Sequence, residues 1–353
     1  MYYCRSYEID VRQRFGDKAR NEQELQKILT NIKSSQRKSK FDCIIGLSGG
    51  VDSSYLALKC YDWGLNPLVV HVDAGWNTAA AVENINAIID YTGFQLYTKV
   101  IDWDEMRRLQ VAYMKAGVPH QDVPQDHIFA ATLYHFAIEN KIKIMLSGGN
   151  LTTEYVLPSS WQWSAVDAIN LHDIFRQFGQ GKLRKYKTIS LWQYYLTYPF
   201  LYKFRTFRPL NYIDYNKIKA EQELVERIGY KTYQRKHGES LFTKFFQNYY
   251  LPERYGFDKR IAHYSSMILS GFMTRDTAIE LLKEPLYDNV ELIADKKFVA
   301  DKLDIPYDEF EQLLTLPNRR HSSFRNWKAI HKKLKKIQLF VEKIIGKKIG
   351  IYS

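Results

Sequence analysis

Ser48-Gly49-Gly50-Val51-Asp52-Ser53 places two hydroxyls, a carboxylate and two glycines in one short stretch. Glycines let the backbone come close to a ligand, because no Cβ stands in the way. Hydroxyls and free backbone N–H groups hold anions, and phosphate is the usual one. A carboxylate beside them is suited to a hard cation such as Mg²⁺. A second glycine pair, Ser147-Gly148-Gly149-Asn150, is followed by Glu154. Side by side, the two loops would form one crevice. One would hold pyrophosphate; the other would lie near a ribose, a substrate or a metal.

The elements that must position these groups follow from periodicity. Phe41 to Leu47 is a short apolar run, long enough for a buried strand. From Val51 to Trp63 the apolar spacing is helical, so the first glycine turn opens a helix. Its unpaired N–H groups and positive dipole end fall on the loop. Leu68 to Val72 reads as a second strand ending at Asp73, where ligands bind in open α/β sheets. Gln95 to Val100 and Lys143 to Leu146 read as further strands. Helices are expected after Asn77, over about 103–115 and over about 126–140, with Asp126 as N-cap and His127 in the first turn. Phe207 to Tyr212 reads as a last extended segment, and Tyr215 to Ile228 as a helix closed by Gly229. Asn21 and Glu24 suggest a capping box for a helix with Leu25, Ile28, Leu29 and Ile32 inward.

This alternation predicts an α/β fold: a parallel sheet of about five strands with helices on both faces, then a mainly helical C-terminal region. The expected division is a helical lead-in over 1–40, an α/β domain carrying both glycine loops over 41–230 and a helical substrate or partner region with a basic tail over 231–353. The aromatic run Leu191 to Tyr202 is too short to span a bilayer and suits core packing.

The chain has 353 residues, 45% of them hydrophobic, and a net charge of +12. It carries no apolar run of about 18 residues, so no transmembrane helix is expected. Its first residues lack an apolar segment of the signal-peptide kind. Three cysteines without regular spacing suit a reduced, cytoplasmic protein. The lysine-rich stretch Lys328 to Lys348 has Ile330, Leu334, Ile337, Val341 and Ile344 on one helical stripe. An ordinary surface helix accounts for it, and peripheral contact with an anionic membrane surface is the sharper alternative.

Ser48 to Ser53 lacks the lysine of a Gly-x-x-x-x-Gly-Lys-Ser/Thr loop. It resembles instead the pyrophosphate loop of the N-type ATP pyrophosphatases, which include asparagine synthetase, GMP synthetase and tRNA-lysidine synthetase. That resemblance implies an adenine nucleotide α-hydrolase-like fold and cleavage of ATP between the α and β phosphates. A narrower likeness rests on five segments in order: Ser-Gly-Gly-Val-Asp-Ser (48–53), Val-Pro-Gln-Asp-His (123–127), Ser-Gly-Gly-Asn (147–150), Lys-His-Gly-Glu-Ser (236–240) and Asp-Lys-Arg-Ile-Ala-His (258–263). Together they look like the N-acetyl sugar amidotransferases of bacterial surface-sugar pathways, over about residues 1–284. The resemblance implies conversion of an acetamido group on a nucleotide-linked sugar to an acetamidino group, with ATP and ammonia consumed.

On this reading Ser48, Gly49, Gly50, Asp52 and Ser53 hold the pyrophosphate, and Asp52 also holds Mg²⁺. Asp73, Ser147, Gly148, Gly149 and Glu154 complete the nucleotide side. Lys236, Lys259 and Arg260 meet developing negative charge. Asp126, His127, His237, Glu239 and Lys244 face the substrate. The family often opens with Cys-x-x-Cys pairs for structural zinc; here only Cys4 stands near the start, so no zinc is expected. Position 2 is Tyr, and Cys43 and Cys60 fall in core elements, so ammonia is expected from a separate glutaminase partner. Two rivals remain at this level. A tRNA-modifying ATP pyrophosphatase fits the loop and the basic charge, but no RNA-binding module follows, and no nucleic-acid partner is expected. A non-catalytic scaffold would bind ATP without releasing pyrophosphate.

Overall fold

Five strands form one parallel sheet in the computed structural model: β1 (Cys43–Gly46), β2 (Pro67–Asp73), β3 (Leu96–Val100), β4 (Ile144–Leu146) and β5 (Arg205–Phe207). The structure describes residues 2–35, 39–233 and 238–345. Strand order is β3-β2-β1-β4-β5. The chain moves outward from β1 through β2 and β3, then returns to the opposite side of β1 for β4 and β5. The order reverses between β1 and β4, and a crevice opens beyond their C-terminal ends. Ile45 is level with Leu146, so the two glycine loops leave the sheet side by side.

Alternating side chains send each strand's residues to two cores. Ile44, Leu68, Val70 and Met145 pack with the helices Trp103–Ala116, Val123–Glu139 and Ala168–Phe178. Cys43, Ile45, Val69, Ile144 and Leu146 pack on the other face with Lys18–Ser35, Val51–Asp62, Ala79–Thr92 and Lys217–Ile228. Strands buried on both faces are near-continuous apolar runs, as β1 and β4 are and as β2 is up to His71, which is buried with its Nδ1 2.8 Å from the Leu47 carbonyl oxygen. A third cluster, built on Phe242, Phe245, Phe246, Tyr250 and Phe310, joins the C-terminal helices to Trp76 beyond β2.

Several sequence expectations move. The helix expected from Asp126 starts at Val123, with Asp122 at the N-cap and Pro124 in the first turn; proline is favoured there because its missing N–H has no helical partner. Thr78, not Asn77, caps the next helix by accepting from the Ala81 N–H. Asn21 lies inside the helix Lys18–Ser35 and donates its amide to the Phe15 carbonyl at 2.7 Å instead of forming a capping box. Only Arg205–Phe207 of the late segment is extended, and Pro209–Tyr212 is a 3₁₀ turn. Tyr215 precedes the helix, which Asn216 caps; Gly229 ends it at φ 67°, as expected. The aromatic run divides: Tyr198 stacks on Tyr134 in the core, while Trp192, Phe200 and Leu201 stay exposed. On the basic helix Lys328–Ile345, Ile337 and Ile344 of the expected stripe are exposed. No helix of the described residues is long and apolar enough to cross a membrane.

Candidate active site

Gly49 sits at φ +82°, a backbone conformation that side chains resist, and a Cβ there would lie 2.5 Å from the Ala81 carbonyl oxygen. Three donors fix its own carbonyl: Tyr230 Oη at 2.9 Å, Tyr233 Oη at 3.0 Å and Asn84 Nδ2 at 3.3 Å. With that oxygen turned into the protein, the loop's shape is fixed by the chain's own side chains. Ser53 Oγ donates to the Gly50 carbonyl and accepts from the Ser48 N–H, and the Ser48 and Ser53 hydroxyls lie 3.0 Å apart. Gly50 then starts the helix Val51–Asp62 without a side-chain cap, leaving first-turn N–H groups for an anion.

The second loop docks on the first. A Cβ on Gly148 would meet the Asp52 carbonyl oxygen at 2.9 Å. Asn150 donates its amide to Asp52 Oδ1 at 3.2 Å, and the Tyr215 hydroxyl donates to the same oxygen. Burial and the Asp52 charge push the Tyr215 phenol upward, so it stays a donor at neutral pH. Asn150 also caps the helix Leu151–Glu154 by accepting from the Thr153 N–H. Asp52 is thus aimed by two partners through one oxygen.

Two cavities meet here. One, of about 460 Å³, is lined by Ser48, Gly50, Asp52, Ser53, Gly148 and Gly149, with Lys217 on its rim. The other, of about 650 Å³, runs beside it along the ends of β1 and β2 and is walled by Asp122, Asp126, Glu154, Arg208, Thr243 and Lys259. Ser48, Glu239 and His263 line both. His263 is oriented by its Nδ1, 2.8 Å from the Thr153 carbonyl. In the larger cavity, burial depresses the Lys259 ammonium, and the carboxylates of Asp122, Asp126 and Glu154 oppose that. Asp122 is pushed up to about 7, by burial first and then by Asp126; His120, Lys259 and a bond from Thr243 pull the other way.

Of the residues singled out from sequence, Ser48, Gly50, Asp52, Ser53, Gly148, Gly149, Glu154, Asp126, Glu239 and Lys259 line these cavities. Gly49 shapes the loop from behind. Ser147 accepts from the Gly149 N–H and holds the second turn. Asp73 accepts from the Gly75 N–H at 2.8 Å and faces neither cavity. Asp73, expected on the nucleotide side, is thus turned to its own loop, and three further placements depart from expectation. His127 is fully buried, its Nδ1 at the Ala165 carbonyl and its Nε2 accepting from the Ile189 N–H; burial lowers it to about 4. Arg260 is held by Asp258 and donates to the Glu284 carbonyl. Lys244 is paired with Glu291 and Asp295. None of these three faces either cavity. Lys236 and His237 lie outside the described residues.

Sequence reasoning missed Asp122, Asn150, Tyr215, Tyr230, Tyr233 and Thr243 as site residues. Pro124 was the available signal for Asp122, since a proline in the first turn places the helix start, and with it the cap, one or two residues earlier. The tyrosines come from distant positions and carried no local signal.

Among the described residues no group of three or more His, Cys, Asp or Glu is arranged to hold a metal. Mg²⁺ on a triphosphate needs only one or two protein carboxylates, because the phosphates supply the other oxygens. Asp52, which lines the smaller cavity together with Ser48 and Ser53, fits that kind of ion.

Strand order, reversal point and paired glycine loops define an α/β protein with a glycine-lined crevice at the ends of β1 and β4. Residues 239–338 match a family model described as the C-terminal domain of WbpG-like LPS biosynthesis proteins. That match begins at Glu239, which lines both cavities. No curated protein matches the chain. Among solved structures, NMN synthetase from Francisella tularensis aligns with 85% of this chain and 98% of its own at 14% identity, with a TM-score of 0.39.

Proposed function

We propose that this protein is an ATP-dependent amidotransferase of surface-sugar biosynthesis that converts an acetamido group on a nucleotide-linked sugar into an acetamidino group. The observation that carries this reading is the joining of a crevice lined by glycines and serine hydroxyls to a second, carboxylate-rich cavity through Ser48, Glu239 and His263. The match of residues 239–338 to a lipopolysaccharide-biosynthesis domain supports the pathway.

An amide carbonyl is a poor electrophile, and its oxygen is a poor leaving group. The carbonyl oxygen attacks the α-phosphorus of ATP, and pyrophosphate leaves. Ammonia then adds to the carbon, loses a proton, and AMP departs with the original oxygen. Such transfers depend on positioning and charge neutralisation more than on a protein nucleophile. The Ser48–Ser53 loop and the first turn of the helix Val51–Asp62 hold the phosphates, and Lys217 adds positive charge at the rim. Asp52 would hold Mg²⁺, which when bound would supply charge neutralisation along the phosphate chain. The larger cavity takes the sugar, whose hydroxyls suit its carboxylates and amides. Ammonia comes from a separate glutaminase.

Mass spectrometry of a panel of nucleotide-linked N-acetyl sugars, incubated with ATP and ammonium, tests this. One sugar should lighten by the difference between O and NH, with AMP and pyrophosphate released. Turnover on glutamine alone, without ammonium or a partner, would contradict the separate ammonia source.

A further inference from the structure

The amide that enters this reaction is neutral, and the amidine that leaves is a cation. Ammonia adds to the adenylated carbon as a nitrogen carrying a positive charge, and one of its protons must go before AMP can be expelled. The larger cavity has the charge such a change requires. Asp122, Asp126, Glu154 and Glu239 bring four carboxylates to its wall, against Lys259 and Arg208.

Asp122 stands apart within that set. It is 5% exposed, yet it forms part of the cavity wall. Gln125 Nε2 donates to its Oδ1 at 3.0 Å, and Thr243 Oγ1 donates to the same atom at 3.3 Å. Both bonds fall on one oxygen, so the carboxylate is clamped in orientation by the helix Val123–Glu139 on one side and the helix Leu241–Phe245 on the other. The titratable groups facing it are Asp126 on its own helix, His120 on the preceding loop and Lys259 on the helix Lys259–Leu269. His120 is in turn 3.4 Å from Asp126 and held at the Trp163 backbone. This is a buried carboxylate with a fixed face, set among groups that tune its affinity for a proton.

We propose that Asp122 is the general base of the second half-reaction: it takes the proton from the attacking nitrogen, and the surrounding carboxylates stabilise the amidinium as it forms. The inference rests on the amidotransferase reading above. The balance is direct. The carbon–nitrogen bond forms, one proton passes from that nitrogen to Asp122, and the carbon–oxygen bond breaks with its electron pair leaving on AMP. The product keeps the remaining positive charge. No other reactant is needed.

A base of this kind works best when its proton affinity matches the working pH. Asp122 is raised to about 7, so the ionised fraction grows as pH rises through neutrality. Amidine formation should rise with it.

The test separates the two half-reactions. Exchange of labelled pyrophosphate into ATP, measured with the sugar but no nitrogen donor, reports adenylation alone. Product formation is then followed with hydroxylamine, its unprotonated form held at the same concentration at every pH so that its own titration does not enter the profile. Asp122→Asn should lower the ratio of amidoxime formed to exchange by about a hundredfold and abolish the rise through pH 7. Should that variant fail to fold, Asp126→Asn serves. It removes the neighbouring negative charge, so the rise should move to lower pH. An unchanged ratio and an unmoved pH profile in a folded variant would overturn the role of Asp122 and leave the amidotransferase reading intact. If the wild-type protein gives neither exchange nor amidine with any sugar of the panel, the amidotransferase reading itself fails.

Discussion

Gly49 combines the tightest steric demand in the crevice with a left-handed backbone, so it is the residue least open to change. Gly49→Ala places a methyl group 2.5 Å from the Ala81 carbonyl oxygen and strains φ at +82°. The expected loss is about 2 kcal/mol or more of stability, together with nucleotide affinity. Urea unfolding and ATP binding on the same preparation check both. His127 gives a different prediction. It is neutral when folded, held at about 4 against an ordinary value of 6.5. The unfolded chain therefore binds more protons between those values, and stability falls as pH drops from 6.5 towards 4. The full contribution is about 3 kcal/mol. His127→Gln should flatten the fall between pH 7 and pH 5 seen for wild type in urea titrations. A parallel fall in both proteins would show that other groups dominate. Residue-level reading from sequence worked where one short peptide carries its own constraint, as at Ser48 to Ser53. It failed at His127, because burial by distant segments near 165 and 189 leaves no local mark.

At the scale of elements, the segment following the helix Lys217–Ile228 crosses behind the phosphate loop. Tyr230 and Tyr233 both donate to the Gly49 carbonyl, and the Lys231 N–H donates to Asn84 Oδ1. Beyond it, the Thr78 N–H donates to the Glu239 carbonyl, and the Leu241 N–H to that of Trp76. The C-terminal half is thereby tied to both ends of the crevice. Replacing Tyr230 and Tyr233 by Phe together removes about 1 kcal/mol per bond. The KM for ATP should rise roughly 30-fold if the bonds serve only the liganded loop. An unchanged KM would show that Asn84 alone holds the carbonyl. The sheet was legible in the sequence because strands buried on both faces are short apolar runs between glycine turns, as in β1, β2 and β4. Helix starts were less so. Asp126 and Asn77 are competent caps, but Asp122 and Thr78 occupy the cap positions, and neighbouring polar residues compete too closely for spacing alone to decide.

For the whole molecule, two cavities of different character share one wall. The smaller is shaped by glycines and hydroxyls; the larger is acidic. The proposed reaction, which begins on phosphates and ends on a cation, would use both. The acidic side was not legible, because Asp122, Glu154, Glu239 and Lys259 come together only when the C-terminal helices pack against the strand ends. The central claim is that an acetamido oxygen leaves on AMP. It is tested most directly by placing heavy oxygen in the acetamido carbonyl of the accepted nucleotide sugar, adding ATP and ammonium, and weighing the products. The account predicts the label in the phosphoryl group of AMP, with pyrophosphate unlabelled and an unlabelled amidine. Label retained in the sugar product, or ATP split to ADP and phosphate, would contradict it.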